Sequence, residues 1–397
     1  MYFKKIFFRL FFEIEKSFFF VILSPFLYIN RLIPKTKRLY FANFRSERIG
    51  HFAIGFYTRY AELKSGIFKK KCIYCFNQNI SNKFISNQIK KYFYVNRIVK
   101  FAIIVSKKMP FLKCLIDKSI ESASRDSRGL IQKFEMPEFT QNEIQFCTDW
   151  LLKNGWKGKS QKIICLHVRD SAYLKNYKKN NSFTNVDFSY HNYRDSDIND
   201  YKDSINWLIR QGCFVIRTGK ISNKKADIIS DSFIDYPFCD TKSDLLDVWL
   251  FANSNLVITT GSGIDEISSA YKVPMILINF MPLGYSPSYS KSLTISKHLY
   301  WEENNKHLTF NEYLENSNFL RSDLYKSNRI IIKDLNSEEI LKTIKDGWSY
   351  FIKNSIIKEQ DQKITKLFLQ KVRDNPRLNK LHERINKKWI VSSNLFD

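Results

Sequence analysis

Three stretches of this 397-residue chain gather side chains suited to holding an anion. In "IICLHVRD", His167, Arg169 and Asp170 stand directly behind a run of strand-forming apolar residues. "CFVIRTGK" closes a second such run with Arg217, Gly219 and Lys220, and "LVITTGSGIDE" closes a third with Thr260, Gly261, Ser262, Gly263 and Glu266. Arginine grips phosphate oxygens through a planar fork, and lysine adds a point charge. Glycines let backbone amides approach an anion at the start of a helix, whose dipole favours negative charge. Glu266, one turn into that helix, can accept hydrogen bonds from ribose or sugar hydroxyls. Together the set suits a diphosphate.

Side chains at three strand ends meet only if the strands lie side by side, and in an open parallel sheet ligands bind outside the carboxyl ends. The sequence supplies that scaffold. "KIICLHV", "CFVIRTG", "LVITTGSG" and "PMILINF" read as strands. Between them lie helices over Ile198 to Gln211, Ser243 to Asn253 and Ile264 to Tyr271. Asp197 caps the first of these. The alternation gives an α/β, doubly wound unit over residues 160–335. The polar "GWKGKSQ" before it marks a domain boundary, and Thr140 with Glu143 forms a capping box for a helix that ends at Asn154 and Gly155.

Residues 35–155 repeat the theme. "RLYFANF", "KKCIYCF" and "YVNRIVKFAIIV" read as strands, with a helix from His51 to Leu63 behind the polar loop "RSERIG". That loop carries Glu47 and leads into His51. From Ser337 onward, residues 336–397 read as helical and charged, without strand signals.

Other chemistry is excluded by pattern. No GxGxxG opens the first helix and no GxxxxGK[ST] occurs, which disfavours nicotinamide, flavin and common NTPase readings. The DxD of "YRDSD", Asp195 and Asp197, is a divalent-cation candidate, but Asp197 stands just before a helix with Asp200 in its first turn, so the N-cap reading is favoured and no metal is assigned. The stretch between Asp170 and Arg194 reads as a long polar loop at the mouth of the site, able to close over substrate. Cys72 and Cys75 form a lone CxxC. The seven cysteines lack framework spacing, which fits a reducing compartment.

Charge is concentrated at the front. The formal net charge is +25, and the first 100 residues hold 20 Lys and Arg against 4 Glu. This quarter faces something anionic, such as phospholipid head groups or a glycan. Residues 1–34 are rich in Phe, and on a helix Phe3, Phe7, Leu10, Ile14, Phe18 and Val21 share one face while Lys5, Arg9, Glu13 and Lys16 share another. Such a helix lies in a membrane interface or packs on the protein's own core. A span is disfavoured because Pro25 interrupts the longest uncharged run, and a signal peptide because Glu13 and Glu15 precede it. Nucleic acid is disfavoured because the chain has no zinc, RNP-like or helix-turn-helix signature.

In order, "RIGHFA", "CLHVRDSAYL", "YRDSDINDYKDSINWLIRQGCFVIRTGK", "SDLLDVWLFANSNLVITTGSGIDEISSAYKVPMILIN" and "ISKHLYW" resemble a family of bacterial glycosyltransferases of surface-polysaccharide gene clusters, such as those for capsule or lipopolysaccharide. The likeness spans residues 38 to 310. It implies a GT-B fold, two facing Rossmann-like domains with the nucleotide sugar on the second and the acceptor against the first. The HxR of "HVR" is similar to that of GDP-fucose-dependent fucosyltransferases. Where the family pattern has Asn after the arginine of "YRNSD", this chain has Asp195. The resemblance implies transfer without a metal or other cofactor, with Arg169, Arg217, Lys220 and the Gly261 to Gly263 turn stabilising the leaving diphosphate. The base is Asp170, Glu47 or His51, and the acceptor a glycan or lipid-linked glycan at the cytoplasmic membrane face. Rival readings are a nucleotide-sugar epimerase of the same fold and a non-enzymatic basic protein that binds membrane or polymer.

Overall fold

The computed structural model describes residues 2–77, 79–118, 129–180, 189–283, 291–316, 319–373 and 389–395, and for 2–10, 177–180 and 395 the backbone only. The chain forms two compact units, Met1–Asp126 and Ser127–Asp397. The boundary therefore falls ahead of the one expected near residue 155. The helix expected to close the first domain belongs to the second unit, where the Trp150 indole N–H donates to Thr241 Oγ1 at 2.8 Å.

Unit 1 opens with helix α1 (Tyr2–Leu32), continuous through Pro25. Strands β1 (Leu39–Phe44) and β2 (Lys71–Phe76) pair in parallel around helix α2 (Ile49–Lys64), and α3 (Lys83–Tyr92) and α4 (Ile98–Lys108) follow. The apolar run Tyr94 to Val105, expected as a strand, contributes only an isolated bridge at Val95 and is helical from Ile98. Val99, Ala102 and Ile103 turn inward at helical spacing, and the charged Arg97 and Lys100, three residues apart, interrupt the run with that same period. The core joins these residues to Leu27, Phe41, Cys75, Leu112 and Leu115. Cys72 and Cys75 both lie in β2, where an offset of three places them on opposite faces. Burial raises the Cys72 thiol to about 12, so it is inert.

Unit 2 begins with α5 (Gln141–Lys153), whose Thr140/Glu143 capping box is formed as expected. It continues through β3 (Ile163–His167), α6 (Ala172–Asn180), α7 (Lys202–Arg210), β4 (Phe214–Arg217), β5 (Phe233–Asp235), α8 (Asp244–Asn253), β6 (Leu256–Thr259), α9 (Asp265–Ala270), β7 (Met275–Leu277) and β8 (Ser292–Thr294). An antiparallel pair, β9 (His298–Trp301) with β10 (Ile330–Lys333), stands apart from the main sheet, with α10 (Phe310–Asn316) and α11 (Ser322–Ser327) between its strands. Helices α12 (Ser337–Phe351) and α13 (Glu359–Val372) precede β11 (Trp389–Val391).

All seven strands of the main sheet are parallel, in the order β11-β8-β7-β6-β3-β4-β5. Their near-continuous Ile, Val and Leu content follows from burial on both faces. Two expectations need correction. The tail beyond residue 336 is not purely helical, because Trp389–Val391 adds a strand beside β8. The helix expected over Ile198 to Gln211 opens as a 3₁₀ turn at Ile198–Tyr201 before α7. Of the polar loop expected after Asp170, the first part is helix α6, and residues 181–188 lie outside the described set.

Candidate functional site

From β3 the chain winds outward in one direction through β4 and β5 and then in the other through β6, β7, β8 and β11. The order reverses between β3 and β6, the place where parallel sheets open a crevice at their carboxyl ends. His167, the last residue of β3, is registered against Thr259 of β6, and the Thr260 N–H donates to the His167 carbonyl at 3.1 Å. Beyond this rung the strands part, joined by a bond from the Arg169 N–H to Thr260 Oγ1 at 2.9 Å.

The Arg169 side chain stands at this fork, 12% exposed. Its Nη1 donates to the His191 carbonyl at 3.1 Å and pairs with the Asp195 carboxylate. Among the described residues its Nε and Nη2 hydrogens have no acceptor. Burial lowers its pKa and raises that of Asp195, so each is the other's compensating charge. His167 points toward Thr218, with Nδ1 at 3.2 Å from the carbonyl and 3.3 Å from Oγ1. Burial holds its pKa at about 4, which leaves a neutral imidazole near pH 7 whose Nδ1–H donates to the Thr218 carbonyl.

Two cations that sequence reasoning missed join Arg169. Arg194 Nη2 donates to the Gly261 carbonyl at 2.8 Å. Lys297, buried, donates to the Asp195 carbonyl at 2.5 Å and to Asp334 Oδ1 at 2.6 Å, and burial lowers its pKa. Both lie in stretches quoted above, "YRDSD" and "ISKHLYW", the first of which was read only for its aspartates. With the Ser196 N–H bonded to the Arg169 carbonyl at 3.0 Å, residues 189–196 are fastened along the crevice.

Other expected residues lie differently. Arg217 is buried, its Nη1 donating to the Lys224 carbonyl at 2.6 Å and to Asp235 Oδ1 at 3.2 Å, its Nη2 to Ser222 Oγ at 2.9 Å. It holds the loop after β4. Lys220 is exposed, 3.4 Å from Asp244. The Asp170 carboxylate accepts from the Ala172 N–H at 2.9 Å and the Asn223 N–H at 2.8 Å. Glu47 bonds Asn77 and lies 3.5 Å from Arg45, and His51 is half-buried in the first turn of α2, both in unit 1. Asp195 and Asp197 serve separate cations: Asp197 accepts from the Asn199 N–H at 2.9 Å and pairs with Lys224 at 3.0 Å. Among the described residues no group of three His, Cys, Asp or Glu is placed to hold a metal.

The glycine turn closes on itself. Thr259 Oγ1 lies 3.0 Å from Asp265 Oδ1 and accepts from the Gly261 N–H at 3.1 Å, while the Ser262 N–H donates to Asp265 Oδ2 at 2.6 Å. The chain's own carboxylate thus occupies the position expected for a bound anion, and α9 has only six residues. Burial raises the Asp265 pKa to about 7. Glu266 is buried. Gly261 has φ 85°, and a Cβ there would lie 2.5 Å from the Phe280 ring. Gly219, at φ 146°, would place a Cβ 3.3 Å from Pro237.

No family model matches the chain, and no curated protein matches it. Two solved structures are similar in outline. A glycosyl transferase of family 9 from Veillonella parvula aligns over 80% of this chain and 99% of its own, at 10% identity and a TM-score of 0.40. An E. coli ADP-heptose LPS heptosyltransferase II aligns over 78% of this chain and 98% of its own, at 11% identity and a TM-score of 0.41.

Proposed function

We propose that the crevice between β3 and β6 binds the diphosphate of a nucleotide sugar, and that the protein is a glycosyltransferase of the hexosyl-transferring kind with a GT-B arrangement. The acceptor in this reading is a membrane-proximal glycan of bacterial surface polysaccharide synthesis, and the chain sits peripherally on the inner face of the membrane. The observation that carries the reading is Arg169: a guanidinium at the point of strand-order reversal, with two nitrogens whose hydrogens have no acceptor among the described residues. The ordered motifs shared with polysaccharide glycosyltransferases support it.

In this mechanism the acceptor hydroxyl oxygen bonds to the anomeric carbon. The bond from that carbon to the diphosphate breaks, and its electron pair leaves on the phosphate oxygen. Arg169 stabilises that charge in its fork, with Arg194 beside it, as fixed cations do when aimed at developing charge in a dry site. These side chains do the work of a metal, so the transfer is metal-independent. His167, neutral, contributes a hydrogen-bonding ring without adding charge. The acceptor's proton passes to one of Glu47, His51 and Asp170. The Asp170 carboxylate already accepts from the Ala172 and Asn223 N–H groups, so a role as base would require it to share those bonds with the acceptor hydroxyl.

The test is thermal stabilisation by UDP-, GDP-, CMP- and ADP-sugars, with and without EDTA, for the natural chain and Arg169→Ala. One nucleotide should raise the melting temperature regardless of chelator, and the variant should lose that response while melting within a few degrees of the parent. A folded protein indifferent to every donor, or a variant that keeps its response, overturns the assignment.

A further inference from the structure

Helix α1 has two apolar faces, and among the described residues one is packed while the other is exposed. Phe12 and Phe19 pack their rings on Phe101 of α4, at 6.0 and 4.3 Å between centroids, and Leu27 is fully buried. At 100° per residue these positions form one side of the helix. On the opposite side Phe11, Ile14, Phe18, Val21, Ile29 and Leu32 are between 52% and 73% exposed. They form an uncharged stripe about 30 Å long. A soluble surface rarely leaves so large an apolar patch uncovered.

The charge around the stripe says what covers it. Each acid among residues 11–118 is paired within unit 1: Glu13 with Lys16, Glu15 with Arg97, Glu47 with Arg45, and Glu62 and Asp117 with buried Arg59. The cations outnumber them. Arg97 stands at one margin of the stripe beside Glu15, its side chain 80% exposed. At the other margin Tyr28 meets Phe111 edge-on at 6.0 Å, and Lys113, two residues further on, is exposed with Lys107 and Lys108. A second copy of the chain would set this positive fringe against itself. An anionic lipid surface would neutralise it while the stripe enters the acyl boundary.

We infer that α1 docks unit 1 onto anionic phospholipid through this stripe, lying in the plane of the membrane. No helix among the described residues is long and apolar enough to cross one. Because the opposite face is already part of the core, α1 docks as a folded element, without the coil-to-helix transition of a free amphipathic segment. The inference deepens the membrane-proximal part of the function proposed above and rests on that part alone.

The test is co-sedimentation of the full chain with vesicles of phosphatidylglycerol and phosphatidylcholine against phosphatidylcholine alone, without donor or acceptor, so that docking and sugar transfer fail separately. Binding should require the anionic lipid and weaken when salt is raised from about 0.1 to about 0.5 M. The double variant Ile14→Asp, Val21→Asp should lower the partition coefficient at least about tenfold with an unchanged melting temperature and circular dichroism, since both positions face outward. Circular dichroism of the parent should gain no helix on binding. Three results overturn the inference: no binding to anionic vesicles, equal binding by the double variant, or a dimer in sedimentation that the double variant converts to monomer.

Discussion

The carboxyl end of β3 and the ends of its two neighbours present the same kinds of residue and resolve them in opposite ways. Arg217 at the end of β4 is 2% exposed, and both its terminal nitrogens are committed to Asp235, Ser222 and a loop carbonyl. The Gly261 turn at the end of β6 is closed by Asp265. Arg169, two residues past the end of β3, meets one carboxylate and one carbonyl through a single nitrogen. Residue type and place relative to the sheet therefore do not decide between architecture and ligand binding. What decides is whether the chain itself supplies the partners, and at the point of strand-order reversal it supplies fewest.

The sharpest test of the contrast is Arg217→Ala beside Arg169→Ala. Removing Arg217 leaves Asp235 without its buried counter-charge and frees the loop it ties down, which should destabilise unit 2 by about 3 kcal/mol or more in urea denaturation. Arg169→Ala should cost less stability, because Lys297 remains as a second cation beside Asp195, and should remove donor binding. Equal losses from both would erase the distinction. Next in size is Gly261→Ala, which combines a left-handed backbone with overlap on the Phe280 ring and should cost about 2 to 4 kcal/mol. Gly219→Ala, whose nearest contact is 3.3 Å, should cost less. A mild Gly261→Ala would mean that Phe280 can move and that the turn is kept for another reason.

The sheet of unit 2 was legible because local signals and tertiary need agree there. Buried parallel strands are continuous apolar runs, and caps such as Ser243 and the Thr140/Glu143 pair sit at the observed helix starts. Tyr94 to Val105 failed because its β-branched and aromatic content suits a strand, although Arg97 and Lys100 at a spacing of three mark a helix. Trp389–Val391 failed because three residues at a sheet edge are too short a signal, and only pairing with Ser292–Thr294 makes them a strand. At the site, positions were legible and partners were not. Nothing local announces that Asp235 lies beside Arg217 or Asp334 beside Lys297, contacts across 18 and 37 residues. Asp265 was the exception within reach: an acidic side chain three residues after a helix-start serine commonly reaches back to that residue's N–H.

The smallest predicted effect concerns that internal anion. Burial shifts the Asp265 pKa from 3.8 to about 7, so the folded state binds a proton that the unfolded state has released between those values. Folding is then favoured most below pH 3.8 by this group, and its contribution is lost as pH rises through 7, at no more than ~1.4 kcal/mol per pH unit. His167 acts in the opposite sense: its folded pKa of about 4 leaves its contribution intact above 6.5 and erodes it as pH falls toward 4. In Asp265→Asn the amide oxygen can still accept from the Ser262 N–H while the amide NH2 faces Thr259 Oγ1, and the titration is removed. Urea denaturation at pH 5.5 and 7.5 should therefore show the parent losing stability across the interval relative to Asp265→Asn. Parallel pH dependence in the two proteins would mean that Asp265 stays ionised throughout, which would make the end of β6 a site of fixed negative charge beside Arg194 and a poor neighbour for any phosphate.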